Sequence, residues 1–340
     1  IAGRPCSATE YRVASLGELQ ARLGSAVPGD TILLADGSYR ASNPLTIHRP
    51  GTEARPIRIA AEHARSVTIT GPEGFRIENG AAYVEIAGFI LAHAAGRSVV
   101  ETGAHHVRLV GHVFEGAGEG AYLTIAGDDT EIVYNEFRDK RTIGNMIDVR
   151  GENGQIARRV HIHHNYFHDF ANAGGNGAET IRFGLSGLSM SEGDGLIEHN
   201  LFLRCTGENE LISVKSGANT IRYNTFLDSP GAQLTLRHGN ENMAYGNYFG
   251  GTDGIRVFGD RHRVFSNYLE GNTGGIQVGN GGAEVADGAP LTSHDRPDDN
   301  IIAFNTLVNN ERQYYMTHRE NGLGAINTVF ANNIILGGGV

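Results

Sequence analysis

The chain has 340 residues, of which 48 are glycine and 9 are proline, and its formal charge at pH 7 is -10. This acidic balance argues against a nucleic-acid partner, because proteins that bind nucleic acids usually carry a basic excess. The sequence contains no run of about 18 apolar residues, so it predicts no membrane-spanning helix and no membrane partner. To bind an acidic polymer, this acidic protein would need a local stretch of basic residues on its surface.

The chain starts at Ile1 rather than methionine, and we expect a signal peptide to precede it in a secreted or periplasmic protein. We also expect more chain beyond Val340, which follows an apolar stretch. Cys6 and Cys205 are far apart in the sequence. Two unpaired thiols are favoured over a disulfide between them. The cysteines therefore do not decide whether the protein resides in a reducing or an oxidising compartment.

A short helix is predicted near the N-terminus. Ser15 and Glu18 are spaced as in a capping box, in which two side chains cap the first backbone amides of a helix. Leu19 and Leu23 follow at helical spacing. A helix over about residues 15–24 would cover the open end of a first coil, where exposed strand edges invite aggregation.

A short motif then recurs, with an asparagine two positions before an inward-facing apolar or aromatic residue. Its copies are centred on Asn135, Asn165, Asn200, Asn224, Asn247, Asn267, Asn305 and Asn332, with looser copies at Gly88 and His112. Short alternating strands precede most copies, and the smallest spacings are about 20 to 24 residues. This period is typical of a β-solenoid. We therefore predict an all-β, single-stranded, right-handed parallel β-helix, with residues 1–340 as one domain.

Cations are expected to line one face of the solenoid. Leu234 and Leu236 follow Ile212 and Val214 at an offset of 22 residues, which is one coil. The same offset places Arg237 over Lys215, about 4.8 Å away along the axis. Arg182 in the preceding coil and Arg256 in the following coil are expected in the same column. Because stacked cations repel each other, this column is better suited to an anionic chain than to structure.

Oxygen ligands lie near this column. Glu208 and Glu210 begin the strand that carries Lys215, and Asn176 lies one coil earlier. Two carboxylates and an amide oxygen form a hard site suited to Ca²⁺. The alternative is that the two acids simply pair with Lys215 and Arg237.

These residues resemble polysaccharide lyase family 6, which holds alginate lyases and chondroitinase B. The resemblance extends from about residue 29 to about residue 310, and its motifs are long. They comprise Asn176, Gly177, Glu179, Ile181 and Arg182, then Glu208, Glu210 to Ser213, Lys215 and Ser216, then Leu234 to Gly239, and finally Gly254 to Arg256.

The resemblance implies an enzyme that cleaves alginate by β-elimination. It implies that Lys215 is the base and Arg237 the acid, and that Asn176, Glu208 and Glu210 bind Ca²⁺. Arg256 would neutralise the substrate carboxylate, although some family members work without calcium. Arg182 in the column, His238 beside Arg237, and Tyr314 in a polar segment are expected to bind substrate.

Other interpretations remain open. Dermatan sulfate is the alternative substrate, and a uronate epimerase, a glycoside hydrolase or a non-catalytic carbohydrate-binding solenoid are the alternative functions. His161 and His163 resemble a zinc pair, but stacked structural histidines are favoured. Asp253, Asp260 and Asp287 suggest a hydrolase carboxylate pair, yet they lie at loop positions outside the cation column.

Overall fold

The computed structural model describes residues 9–93, 98–116, 118–171, 174–286 and 293–339. These residues wind into three parallel sheets, each coil giving one strand to each sheet, and this confirms the right-handed parallel β-helix. The 13-stranded sheet contains Glu10–Val13, Thr31–Leu34, Ile57–Ala61, Ala82–Ala87, His105–Val110, Glu131–Val133, His161–His163, Leu196–Glu198, Thr220–Arg222, Met243–Tyr245, Arg263–Phe265, Ile301–Ala303 and Val329–Ala331.

The other two long sheets complete each coil. The 12-stranded sheet contains Gly37–Arg40, Val67–Gly71, Phe89–His93, Val113–Glu115, Glu136–Arg138, Tyr166–Ala171, Leu201–Thr206, Thr225–Leu227, Tyr248–Gly250, Tyr268–Glu270, Thr306–Val308 and Ile334–Leu336. The 11-stranded sheet contains Leu45–Ile47, Phe75–Ile77, Ser98–Val100, Leu123–Ile125, Ile147–Val149, Ile181–Gly184, Glu210–Lys215, Gln233–His238, Ile255–Val257, Gly274–Val278 and Arg312–Met316. A small hairpin pairs Gly151–Glu152 with Gln155–Ile156, and a 3₁₀ turn covers Ser186–Leu188.

The predicted helix is present as Leu16–Ser25, with Ser15 as its N-cap. The amide of Glu18 donates to Ser15 Oγ at 3.2 Å, and Glu18 Oε2 accepts from the amide of Ala14 at 2.8 Å. Leu19 and Leu23 are buried against the first coil. In the described part of the chain, no helix has the length and apolarity that a membrane crossing requires.

The asparagines form a hydrogen-bonded ladder inside one corner of the solenoid. Asn200 Nδ2 donates to Asn224 Oδ1 at 3.0 Å and also to the carbonyl of Ile162 at 2.9 Å. The last member is Asn333 rather than the predicted Asn332, which instead has a φ of +55° in the turn. The asparagine side chains thus provide hydrogen-bond partners for buried backbone groups at the corner. Buried polar groups in native proteins almost always have such partners.

Aromatic rings stack one coil apart beside this ladder. The rings of Phe137, Phe167, Phe202, Phe226 and Phe249 are buried, with centroids 4.5 to 4.8 Å apart. Their spacing matches the distance between parallel strands, so the same repeat that fixes the corner also fills the core.

The 11-stranded sheet carries the predicted cations, and its register corrects one expectation. Lys215 pairs with His238 rather than with Arg237, because the ladder shifts by one residue after Val214. Arg182 pairs with Ser213, and Thr235 pairs with Arg256. The four cations therefore do not form one column: Arg182 and Arg256 share a column that two hydroxyl side chains interrupt, and Lys215 lies in another.

Candidate active site

Most of the predicted site residues lie together on the outer face of the 11-stranded sheet, around Lys215, Arg237 and Arg256, in a surface that we call the trough. Lys215 ends its strand with its side chain 11% exposed, and its Nζ donates to Glu179 Oε1 at 3.0 Å. Glu179 is buried and also accepts from Asn145 Nδ2 at 2.8 Å. The amine is thus on the outer face, narrowly open to solvent, and held by a carboxylate of the preceding coil.

Arg237 and Arg256 meet at Glu210. Arg237 Nη1 lies 2.9 Å from Glu210 Oε2, and Arg256 Nη2 lies 2.5 Å from Glu210 Oε1. Burial favours the neutral acid, yet the charges of Arg237 and Arg256 hold the pKa of Glu210 below its ordinary value. The shift in register leaves Arg237 without a partner residue in the ladder.

Arg182 is held in a different way. Its Nε and Nη2 donate to the two oxygens of Asp148, both at 2.9 Å. The expectation of a mutually repelling cation stack is therefore wrong. Each of Arg182, Lys215, Arg237 and Arg256 contacts a buried carboxylate, because an unpaired charge is costly to bury.

Three carboxylates form a candidate cation site beside Lys215. Oxygens of Glu179, Glu208 and Glu210 lie within 4.8 Å of one another. Glu208 Oε2 accepts from the amides of Gly177 and Ala178, whereas Glu208 Oε1 is buried without a partner among the described residues. Burial, and then the charges of Glu179 and Glu210, outweigh these amides and raise the pKa of Glu208.

This oxygen-only donor set fits a hard divalent cation such as Ca²⁺. The sequence missed Glu179 as a member of the set. Ile181 pairs with Ile212, so Glu179 occupies the position that Glu210 holds one coil later, but the long insertion between the coils hides that equivalence. Asn176 is exposed immediately before Gly177, and its role as a ligand stays a prediction.

His238 and Tyr314 differ in burial and contacts, and their roles in substrate binding stay predictions. His238 is buried at the trough, where its ring stacks on that of His294 at 5.4 Å between centroids. Burial, assisted by neighbouring positive charge, lowers the pKa of His238 to about 3, so this ring is neutral at pH 7. Tyr314 instead packs on the core and stacks on Phe330 at 3.9 Å, which disfavours contact with substrate. Tyr315 has the outward register, in the column of Arg256.

Buried polar atoms without partners gather in this trough. Among the described residues they include Glu208 Oε1, Gln233 Oε1, Thr235 Oγ1, Arg237 Nε, His238 Nδ1 and Arg256 Nε. Native proteins leave few buried polar groups unpaired, because each one costs about 1–3 kcal/mol. A local cluster of them is typical of a site that a polar ligand completes.

The histidine pair, the loop aspartates and the cysteines that the sequence singled out add no residue to this site. The rings of His161 and His163 stack at 3.9 Å and contact Glu198 and Glu131, as expected of structural histidines. Asp260 is mostly buried, and burial raises its pKa to about 6. Asp287 and Cys6 lie outside the described residues, and Cys205 is a buried free thiol.

Comparison with known proteins gives the class of the protein. The structure of the PL6 family alginate lyase AlyGC matches with a TM-score of 0.83 and 29% identity, over 94% of this chain and 47% of AlyGC. A mannuronic acid specific polysaccharide family 6 lyase from human gut microbiota matches with a TM-score of 0.83 and 26% identity, over 96% and 82% of the two chains. This chain thus spans about half the length of AlyGC. Its fold is that of these polysaccharide lyases.

The family follows from the sequence. The family model described as Chondroitinase B matches residues 13–321, and the chain therefore belongs to that family, polysaccharide lyase family 6. A PL6 alginate lyase in complex with a trisaccharide has the same fold, with a TM-score of 0.76 at 20% identity. No curated protein sequence matches the chain.

Proposed function

We propose that the protein cleaves alginate by β-elimination, with Lys215 as the base. The observation that carries this proposal is the position of Lys215 Nζ. It is partly exposed on the face of the sheet that also holds Arg237, Arg256 and the cluster of unpaired polar atoms. The alginate lyases among the similar structures support this substrate. A protein that acts on this polymer is proposed to be secreted or periplasmic.

The reaction removes the C5 proton of a uronate residue and expels the glycosidic oxygen at C4. Lys215 must be deprotonated before it accepts the C5 proton. Arg256 and Arg182 offer positive charge to the uronate carboxylate, which favours the enolate-like transition state. His238, neutral beside Arg237, lines the same trough and accepts or donates a hydrogen bond without adding charge.

Arg237 is assigned to the leaving oxygen. A guanidinium stays charged at any pH at which the enzyme works, so it stabilises the oxyanion by hydrogen bonding while water delivers the proton. Its Nε has no partner among the described residues, although Nη1 is fixed on Glu210. Arg237 is therefore oriented by one nitrogen and free to donate from another.

Glu179, Glu208 and Glu210 would hold a calcium ion, with Asn176 as an additional oxygen donor. A bound calcium ion would supply Lewis-acid neutralisation of the substrate carboxylate. Without it, the three clustered carboxylates repel that same carboxylate. We therefore expect activity to depend on a divalent cation.

The test is the variant Lys215→Ala. Incubation of the wild type with alginate should produce ultraviolet absorbance from unsaturated ends, and the variant should lose at least about a thousandfold in rate, because the base is absent. The thermal midpoint of the variant should stay within a few degrees of the wild type. Full activity in the variant would remove Lys215 from the mechanism.

A second candidate substrate is dermatan sulfate, because the family model that matches the chain is described as Chondroitinase B. The same absorbance assay on dermatan sulfate, run with and without chelator, compares the two polymers directly. It also separates the remaining alternatives. A hydrolase gives reducing ends without absorbance, an epimerase leaves the chain intact, and a binding solenoid gives no product.

A further inference from the structure

Asp148 anchors two arginines at the N-terminal side of the trough. Its side chain is 1% exposed, and it accepts from Arg182 Nε and Nη2. It also accepts from Arg150 Nε at 2.5 Å. One buried carboxylate is thus shared by two guanidinium groups, of which Arg182 also interacts with the charges of Glu179 and Glu208.

Arg150 is the more exposed of these two guanidinium groups. Its side chain is 39% exposed, and among the described residues its two Nη atoms have no hydrogen-bond partner. The fork of a guanidinium matches the geometry of a carboxylate. Because Asp148 fixes Nε, the free Nη atoms are oriented before any ligand arrives, and this lowers the entropy lost on binding.

The register places Arg150 in line with the proposed base. Asp148 pairs with Arg182 and Val149 with Phe183, so the next residues, Arg150 and Gly184, are neighbours across one rung. Gly184 in turn pairs with Lys215. Arg150 and Lys215 are therefore two rungs apart, about 10 Å along the axis, and the residue between them has no side chain.

A comparison within the molecule separates this arrangement from an ordinary surface ion pair. Arg138, on the 12-stranded sheet, is 33% exposed and is also held by carboxylates. It contacts Glu115 at 2.7 Å and Glu136 at 2.8 Å, and Glu136 also contacts Arg65 at 3.0 Å, so two acids balance two guanidinium groups there. At Asp148, by contrast, two guanidinium groups share one acid.

We propose that Arg150, positioned by Asp148, binds the carboxylate of a second uronate residue, next to the one that Lys215 deprotonates. The ligand class is an acidic oligosaccharide that lies along the solenoid axis. This site rests on the proposed function for its substrate. It goes beyond that function in assigning a specificity residue outside the cleavage position, with Asp148 as its positioning residue.

The experiment compares Arg150→Gln with Arg138→Gln, the matched arginine outside the trough. Binding of uronate oligomers, from disaccharide to hexasaccharide, is measured by calorimetry in a Lys215→Ala background, so that no turnover occurs. We expect Arg150→Gln to weaken binding of the longer oligomers about tenfold, as loss of one charge-assisted contact implies. The effect should shrink for oligomers too short to reach two rungs, and Arg138→Gln should bind like its parent.

Steady-state kinetics on the corresponding proteins that retain Lys215 provides a second readout. Arg150→Gln should raise KM more than it lowers kcat, and Arg150→Lys should recover part of the loss, because charge returns without the fork. Asp148→Asn should raise KM in the same way, with its thermal midpoint measured in parallel. Unchanged affinity of Arg150→Gln at every length, or an equal loss in Arg138→Gln, would overturn the proposal.

The two proposals fail in distinguishable ways. If the wild type yields no unsaturated product, the β-elimination fails, while calorimetry still reports whether Arg150 binds a uronate. If product forms but Arg150→Gln affects no oligomer, only the second uronate site fails.

Discussion

At the scale of single residues, the site depends on carboxylates that hold each cationic side chain in place. Lys215 is fixed by Glu179, and Arg237 and Arg256 by Glu210, so each cation has a defined position before substrate arrives. Glu208 is the exception, with one buried oxygen unpaired. Within the proposed cation site, Glu208 thus keeps an oxygen without a partner, whereas Glu179 and Glu210 also pair with the cationic side chains.

The buried His112 makes the stability of the fold depend on pH. His112 occupies the ladder position that asparagine holds in later coils: its Nδ1 accepts from the amide of Phe89, and its Nε2 contacts the carbonyl of Ile86. Burial lowers the pKa of His112 from 6.5 to about 4. The fold keeps this ring neutral, while the unfolded chain takes up a proton below pH 6.5. Stability linked to His112 is therefore lost as pH falls from about 6.5 to about 4.

His112→Asn should remove this pH dependence, because asparagine can make both contacts and has no proton to gain. Denaturant unfolding at pH 7 and pH 4.5 should show a smaller loss of stability in the variant, by up to about 3 kcal/mol. His48→Asn, at an exposed histidine, serves as the control. Equal losses in wild type and His112→Asn would show that another group governs acid unfolding.

At the scale of elements, the strands of the trough depart from a regular ladder at the proposed catalytic residues. The shift after Val214 aligns Lys215 with His238 and leaves Arg237, which contacts Glu210, without a partner in the ladder. Irregularities of this kind commonly re-aim side chains near active sites. Gly184 lies beside them with a φ of +104°, a conformation that side chains disfavour.

Gly184→Ala should therefore damage the site. An added Cβ would lie 2.3 Å from the carbonyl oxygen of Lys215, so the backbone that presents the amine must shift. We expect a loss of about 1–3 kcal/mol in stability and at least a tenfold loss in kcat. Gly80→Ala controls for conformation alone, because Gly80 has a φ of +88° with nothing within 4 Å of an added Cβ. Comparable kcat values in the two variants would refute the role of this close approach.

At the scale of the whole molecule, a chain of charge -10 is proposed to bind a polyanion along one side. The solenoid permits this because each sheet presents its own outward face over many coils, so one face can carry a charge that differs from the average. A calcium ion at the proposed site would offset much of the negative charge of the three clustered glutamates.

Calcium should therefore stabilise the folded protein. At a calcium concentration 100 times the Kd, binding contributes about 2.7 kcal/mol, which should raise the thermal midpoint by several degrees. Glu208→Gln should lose most of this rise, whereas Glu53→Gln, at an exposed position, should retain it. A midpoint that does not respond to calcium in the wild type, or responds equally in Glu208→Gln, would exclude this cation site.

The sequence by itself determined the coil, because its period reflects local requirements: an asparagine at each corner, an aromatic residue two positions later, and a capped helix at the first coil. It also placed Lys215, Arg237, Glu208 and Glu210 on neighbouring coils of one face. Only the tertiary structure decided the pairing of the acids with the cations, the shift that aligns Lys215 with His238, and the inward orientation of Tyr314. Insertions and one-residue shifts leave the average repeat unchanged, yet they decide which side chains meet, since a shift of one residue turns a side chain to the opposite face of a strand.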